Sequence, residues 1–208
     1  MSESDSIRSS VATYYASKLA AHGPTPQGSI GMALPHTSCA IGSFFVCLTA
    51  FLTPLLDLGC GFGDFFRFLR AEGHRGRYIG YDIAPDMIAE ALRLHGQGAD
   101  RQWRVGAQPE EGADFAIASG ILNVKGDAPV EVWERYVLET IDILAHVGRR
   151  GFAFNVLSLS SDPERRAANL YYADASKMLS YCLGRYGRSV ALLQDYGLYE
   201  FTVIVRHP

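Results

Sequence analysis

The chain has 208 residues, of which 48% are hydrophobic and 20% are charged. These proportions are ordinary for a globular protein, and the length suits one domain, residues 1–208, with a substantial core. The formal net charge is −3 at pH 7 and lysines and arginines do not cluster, which argues against a nucleic-acid partner. The acidic start at residues 1–8 is unlike a secretory signal, and the four cysteines lack metal-like spacing. We therefore expect a reduced, cytoplasmic protein without a bound metal.

The first stretch with helical periodicity lies near the start of the chain. Residues 7–22 form an amphipathic pattern that predicts a helix, and Gly23 follows as a natural stop. Tyr15 lies on this helix. The pattern alone is explained by a helix that packs on the edge of a sheet.

Residues 28–51 form an apolar segment of unusual composition. Together with the residues that follow it to position 56, it contains no Asp, Glu, Lys or Arg. Residues 37–56 are long enough for a membrane span, but Pro54 interrupts them, no basic cluster flanks them, and their last residues are needed for the first strand. We therefore expect no membrane partner. A buried helix is a second interpretation, although the run leaves little polar face.

A third interpretation treats residues 28–51 as the product of two compensating frameshifts, natural or introduced by sequencing. Codons for these residues can be chosen so that the frame shifted by one base reads VDWNGAASHELRYRQLLRMLDGF, which is charged and amphipathic. Only the degenerate bases of these codons can be chosen freely, so the peptide read in the shifted frame is tightly constrained. The hypothesis predicts that the third bases of the gene permit the alternative frame, and a gene whose third bases forbid it would contradict the hypothesis.

The most informative stretch is a strand followed by a glycine-rich turn. An apolar strand over residues 55–58 leads into Gly59, Gly61 and Gly63, and a helix pattern follows. Glycine lets a ligand approach the backbone closely, and the start of the helix presents free N–H groups. Asp82 ends a second predicted strand, residues 77–83, and follows Asp57 by 25 residues (82 − 57). An acid at this place in a nucleotide-binding βαβ unit usually accepts hydrogen bonds from ribose hydroxyls.

The spacing of these glycines is G-x-G-x-G, whereas a dinucleotide-binding turn carries G-x-G-x-x-G. With Asp57 at its start and Asp82 downstream, the sequence DLGCGFG over residues 57–63 resembles motif I and the acidic loop of class I S-adenosylmethionine-dependent methyltransferases. The resemblance implies that S-adenosylmethionine (SAM) is the cofactor. The cofactor-binding residues that it implies are Asp57, Gly59, Cys60, Gly61, Gly63, Asp82, Ile83, Gly106, Ala107, Ser119 and Gly120.

The remainder of the chain alternates between apolar strands and amphipathic helices. The predicted strands are residues 102–105, 114–119 and 151–157, the predicted helices are 64–70, 85–95 and 130–147, and residues 163–186 are predicted to be mostly helical. Two last strands, residues 189–194 and 199–206, are joined by a short turn and must therefore run antiparallel. This order predicts an α/β fold, a Rossmann-like three-layer sandwich whose mostly parallel seven-stranded sheet ends in an antiparallel hairpin. That ending is typical of class I methyltransferases.

The resemblance also suggests roles outside the glycine turn. The N-terminal helix, within residues 1–27, would form a lid with Tyr15 over the methionine end of the cofactor, or would only pack on the sheet. Asn123, after the fourth strand, would orient the methyl acceptor by hydrogen bonding, or would cap a turn. Tyr172 would stack on the acceptor, or would anchor a helix to the core.

These features predict a SAM-dependent methyltransferase that acts on a small-molecule acceptor by in-line methyl transfer. The sulfonium methyl is already activated, so holding the nucleophile near it can supply most of the rate. A general base is needed only where the acceptor must lose a proton, and the sequence does not identify one. Two alternatives remain open: a catalytically inactive SAM-binding protein, favoured by the abnormal residues 28–51, and an NAD-dependent oxidoreductase, disfavoured by the glycine spacing and the terminal hairpin.

Overall fold

The computed structural model describes residues 3–25 and 52–207. The interpretations of residues 28–51 as a buried helix or a frameshifted segment therefore lie outside the described residues. In the described part, no helix is long and apolar enough to cross a membrane.

The described residues alternate between strands and helices in the order that the sequence predicts. The strands are β1 (Leu55–Leu58), β2 (Tyr78–Asp82), β3 (Arg101–Val105), β4 (Ala113–Ala118), β5 (Gly148–Leu157), β6 (Val190–Leu193) and β7 (Glu200–Arg206). The helices are α1 (Glu3–His22), α2 (Asp64–Ala71), α3 (Pro85–His95), α4 (Val130–Val147), a single 3-10 turn (Pro163–Arg165) and α5 (Ala175–Tyr186).

The strands form one seven-stranded sheet in the order β3-β2-β1-β4-β5-β7-β6. Neighbouring strands from β3 to β5 are parallel, whereas β7 is antiparallel to both β5 and β6. The predicted fold class and the terminal antiparallel hairpin are both confirmed. The order of the strands reverses beside β1, between β2 and β4, and the crevice at the carboxyl ends of the strands at such a point is the usual ligand site of open α/β sheets.

The sheet is covered on both faces, which produces the three layers. One buried cluster joins Leu56 and Ile79 of the sheet to α1, α4 and α5. Another joins Leu55 and Tyr78 to α2 and α3. Because β1 is buried on both faces, its side chains are apolar on both, apart from Asp57.

The prediction for residues 163–186 is wrong in its first half. Beyond the single 3-10 turn, the chain forms a turn at residues 168–169 and no further helix before α5, and isolated bridges pair Leu170 with Val124 and Ala173 with Ser158. The side chain of Asp174 accepts hydrogen bonds from the N–H groups of Ser176 and Lys177. Asp174 thus caps the start of α5, and tertiary pairing replaces helix in the residues before it.

Candidate cofactor and acceptor cavity

A cavity opens at the carboxyl edge of the sheet, where β1, β2, β3 and β4 end. Residues of helices α1 and α4 and of strands β5 and β7 also line it. Of the residues predicted to bind cofactor, those that line the cavity are Asp57, Gly59, Cys60, Gly61, Asp82, Ile83, Gly106, Ala107, Ser119 and Gly120. Among the predicted acceptor residues, Tyr15 and Asn123 also line it.

The three glycines of the turn after β1 all have positive φ angles, of 84°, 54° and 84° in chain order. A β-carbon on Gly59 would lie 2.1 Å from Cγ2 of Ile121, and one on Gly63 would lie 2.6 Å from Cη2 of Trp103. A β-carbon on Gly61 would have no heavy atom within 4 Å. Gly59 and Gly63 are therefore required by packing, whereas Gly61 faces open space in the cavity.

Asp82 holds the turn in place from the tip of β2. Its Oδ2 accepts a hydrogen bond from the Gly61 N–H at 2.9 Å, and its Oδ1 accepts one from the Ala84 N–H at 2.8 Å. Burial raises the pKa of the Asp82 carboxyl, and these two bonds oppose the shift. The side chain can still accept further hydrogen bonds, because an ionised carboxylate has about four lone-pair sites.

Asp57 and Cys60 are more deeply buried around the same turn. The Asp57 carboxylate accepts a 2.5 Å hydrogen bond from the Tyr78 hydroxyl. Burial raises the pKa of Asp57 to about 7, the bond from Tyr78 lowers it, and the nearby charge of Asp82 raises it. Burial also raises the pKa of the Cys60 thiol well above its usual range, with the charges of Asp82 and Asp57 adding to the effect. A thiol held neutral in this way packs as a small apolar side chain.

Helix α1 contributes several side chains to the lining of the cavity. Ile7 and Val11 are buried against the core, and Arg8, Val11 and Tyr15 line the cavity. Burial and the charge of Asp82 both raise the pKa of the Tyr15 hydroxyl, which stays protonated. The predicted N-terminal helix is therefore confirmed, and it places Tyr15 at the cavity.

Sequence reasoning missed the contribution of α4. Tyr136, Thr140 and Ile143 line the cavity from this helix. Their spacing of four and three residues puts them on one helix face, a pattern that the sequence displays. What it does not display is which face of α4 meets the cavity, since Trp133, Val137, Ile141 and Leu144 of the same helix are also buried.

Two side-chain amides join the loop after β4 to strand β5. Oδ1 of Asn123 accepts a hydrogen bond from the Leu157 N–H at 3.0 Å. Oδ1 of Asn155 accepts one from the Gly120 N–H at 2.7 Å, and Nδ2 of Asn155 donates to Oε1 of Glu200 at 3.0 Å. Asn123 therefore braces the backbone while lining the cavity, and Glu200 is a lining carboxylate that the sequence analysis did not single out.

Gly63 and Tyr172 fall outside the lining. Gly63 begins α2 with Trp103 and His95 packed on it. The Tyr172 hydroxyl accepts a hydrogen bond from the Ala167 N–H at 3.0 Å, and the Arg166 guanidinium lies 5.9 Å from its ring. Tyr172 thus helps to fix the non-helical segment before α5. Among the described residues, no three His, Cys, Asp or Glu side chains form a group that could hold a metal ion.

Comparison with known proteins gives a consistent result. A family model described as a methyltransferase domain matches residues 56–140. A curated protein of Mycobacterium tuberculosis, Rv1506c, whose name assigns it to the methyltransferases, is 43% identical over 151 residues, which are 72% of this chain and 90% of that protein.

Solved structures share the fold. Magnesium protoporphyrin IX methyltransferase from Synechocystis PCC 6803 with bound SAM has a TM-score of 0.67 at 15% identity, covering 100% of this chain and 98% of that chain. The DhpI–SAH complex has a TM-score of 0.62 at 15% identity, covering 97% and 98%. The match to Rv1506c is extensive and its sequence identity is high, and the fold agrees with it. The chain therefore belongs to the class I SAM-dependent methyltransferases.

Proposed function

We propose that this protein transfers the methyl group of SAM to a small-molecule acceptor inside the cavity at the carboxyl edge of the sheet. The observation that carries the proposal is the pairing of Asp82 with the open Gly61 turn. A carboxylate stands at the tip of β2 beside a backbone segment that a ligand can approach without meeting a side chain.

In this arrangement the Asp82 carboxylate accepts hydrogen bonds from the ribose hydroxyls of the cofactor, and the turn at Gly59 and Gly61 borders its methionine half. Gly106 and Ala107, at the end of β3, border the adenine. Among the described residues that line the cavity, Arg8 is the one arginine, and it supplies a positive charge for the methionine carboxylate. Helix α1, with Tyr15, covers the bound cofactor and excludes water.

The cofactor, when bound, supplies a methyl group on a positively charged sulfur that is ready for displacement. The protein then has to hold the acceptor in line with that methyl and keep water away. Ser119 and Gly120, after β4, border the transferable methyl of the cofactor. Asn123 and the α4 face are the part of the cavity left for the acceptor. An acceptor enclosed between these elements is a small molecule.

Incubation of the protein with SAM and a panel of phenols, alcohols, amines, thiols and carboxylic acids tests the proposal. The measurement is the formation of S-adenosylhomocysteine together with a product heavier by one methylene. We expect both with at least one class of acceptor. Binding of SAM without any methylated product would favour an inactive SAM-binding protein instead.

A further inference from the structure

Glu200 occupies a special position in the cavity because it is the first residue of the antiparallel strand β7. Its pairing with Leu157, the last residue of β5, brings it to the edge where the parallel strands end. There it lines the same cavity as Asp82 and the glycine turn, although only 3% of its surface is exposed. A carboxyl that is buried at a ligand cavity has to be paired with a protein group or with the ligand, because burial of an unpaired charge is costly in free energy.

The described residues give this carboxyl one side-chain partner, Asn155. Nδ2 of Asn155 donates to Oε1 of Glu200 at 3.0 Å, while Oδ1 of Asn155 accepts from the Gly120 N–H at 2.7 Å. This relay fixes the carboxyl relative to the loop after β4. Since the amide of Asn155 is held from both ends, Glu200 has a defined orientation.

The order of the strands separates Glu200 from the proposed ribose site. Asp82 ends β2, on one side of β1, whereas Glu200 begins β7, two strands beyond β4 on the other side. At about 4.8 Å per strand, β7 lies roughly 10 Å from β4 along the edge of the sheet, with β5 between them. A cofactor anchored at Asp82 therefore has Glu200 on its acceptor side.

The charge of the lining indicates which acceptors fit. Among the described lining residues, four are carboxylic acids and one is an arginine; these are Asp57, Asp64, Asp82, Glu200 and Arg8. If Arg8 pairs with the methionine carboxylate, the acceptor region holds no further lysine or arginine among these residues. A carboxylate acceptor would thus be repelled, whereas a neutral hydroxyl or an amine would not.

We propose that Glu200 is the general base of methyl transfer, and that the acceptor is a hydroxyl compound or an amine. The inference rests on the proposed function. The oxygen or nitrogen of the acceptor forms a bond to the methyl carbon, the carbon–sulfur bond breaks, and its electron pair stays on sulfur. The proton of the acceptor passes to the Glu200 carboxylate and later to solvent, so charge and atoms balance.

The protonation behaviour of Glu200 agrees with this role. Burial raises the pKa of its carboxyl to about 7, and the hydrogen bond from Asn155 opposes the shift. In the loop before β7, burial raises the pKa of the Tyr196 hydroxyl, its 2.8 Å hydrogen bond with Oγ1 of Thr202 opposes the shift, and the charge of Glu200 adds to it. A base with a pKa near the working pH can both accept a proton and release it.

The test compares wild type with Glu200→Gln, which keeps an oxygen for the Asn155 amide but cannot take a proton. Glu200→Asp keeps the carboxyl, and Glu110→Gln changes an exposed glutamate as a matched control. For each protein, SAM affinity is measured by calorimetry, and turnover of the acceptor panel is measured between pH 5.5 and 8.5. The unfolding free energy of each variant verifies that it is folded.

We expect SAM affinities within about twofold of wild type and turnover of hydroxyl or amine acceptors reduced roughly 100-fold in Glu200→Gln. Wild-type turnover should rise with pH and level off above about 7, Glu200→Asp should keep a rising limb, and Glu200→Gln should lose it. A folded Glu200→Gln variant with the wild-type rate and pH profile would refute the role of Glu200, as would methyl transfer confined to carboxylic acids. Either result would leave the proposed function intact. Failure of wild type to bind SAM would refute the proposed function, and this inference with it.

Discussion

The glycines of the turn after β1 have the same kind of backbone conformation but different surroundings. Gly59 is enclosed by Ile121, whereas Gly61 faces the cavity with no heavy atom near the position of a β-carbon. Substitution at Gly59 therefore disturbs the protein itself. Substitution at Gly61 disturbs the space that we assign to the cofactor.

Alanine variants separate these two effects. Gly61→Ala should cost about 1–2 kcal/mol of unfolding free energy, because φ is +54°, and should weaken SAM binding roughly tenfold or more. Gly59→Ala should cost more stability, about 2–5 kcal/mol, since the new methyl meets Ile121. Chemical denaturation and calorimetry measure both quantities. Unchanged SAM affinity in Gly61→Ala would show that the cofactor does not lie against this turn.

Helix α1 is anchored to the core and also lines the cavity. Ile7 and Val11 attach it to the core, and it packs against α3 and α4. Tyr15 packs beside Phe62, Ala84 and Met87, next to the turn and to the start of α3. Such a helix can cover a ligand that binds in the cavity.

Replacement of Tyr15 tests the covering role. Tyr15→Ala should weaken SAM binding roughly tenfold, because an aromatic wall of the cavity is removed. Tyr14→Ala is the matched control: Tyr14 is adjacent, stacks edge-on with Tyr15 at 5.5 Å, and is absent from the lining. Calorimetric titration of both folded variants is the measurement. Equal SAM affinities in the two variants would mean that α1 only packs on the core.

At the scale of elements, the sequence predicts what depends on local pattern. The bounds of α4 and the carboxyl-edge positions of Asp82 and Gly120 follow from periodicity, glycine and strand order. The role of Glu200 does not, because it depends on the antiparallel register that sets β7 beside β5. The non-helical stretch before α5 does not follow either, because pairing of Leu170 and Ala173 with distant residues overrides local helix preference there.

At the scale of the whole molecule, two buried acids link folding to pH. Burial raises the pKa of Asp57 and of Glu200 to about 7, compared with about 4 in an unfolded chain. Between these values the folded state binds more protons than the unfolded state, so each acid makes the free energy of unfolding fall as pH rises. His74 and His95, whose pKa values burial lowers, act in the opposite direction.

A double variant isolates the contribution of the acids. Asp57→Asn combined with Glu200→Gln retains Asp82 and the histidines but removes the two carboxyls whose pKa burial raises to about 7. Relative to wild type, its free energy of unfolding should rise steadily from pH 5 to pH 7 and level off near pH 8. Urea denaturation at several pH values measures this difference. A difference that is constant across the range would contradict the raised pKa values.

We propose that SAM binds at the carboxyl edge of the sheet through Asp82. Calorimetric titration of SAM into wild type and Asp82→Ala tests it most directly, with Asp86→Ala, an exposed acid four residues along, as the control. Loss of hydrogen bonds to a charged group costs about 1.5–3 kcal/mol, or roughly 10- to 150-fold in affinity. We predict that loss for Asp82→Ala and wild-type affinity for Asp86→Ala. Equal affinity in all three folded proteins, or no binding by wild type, would contradict the account.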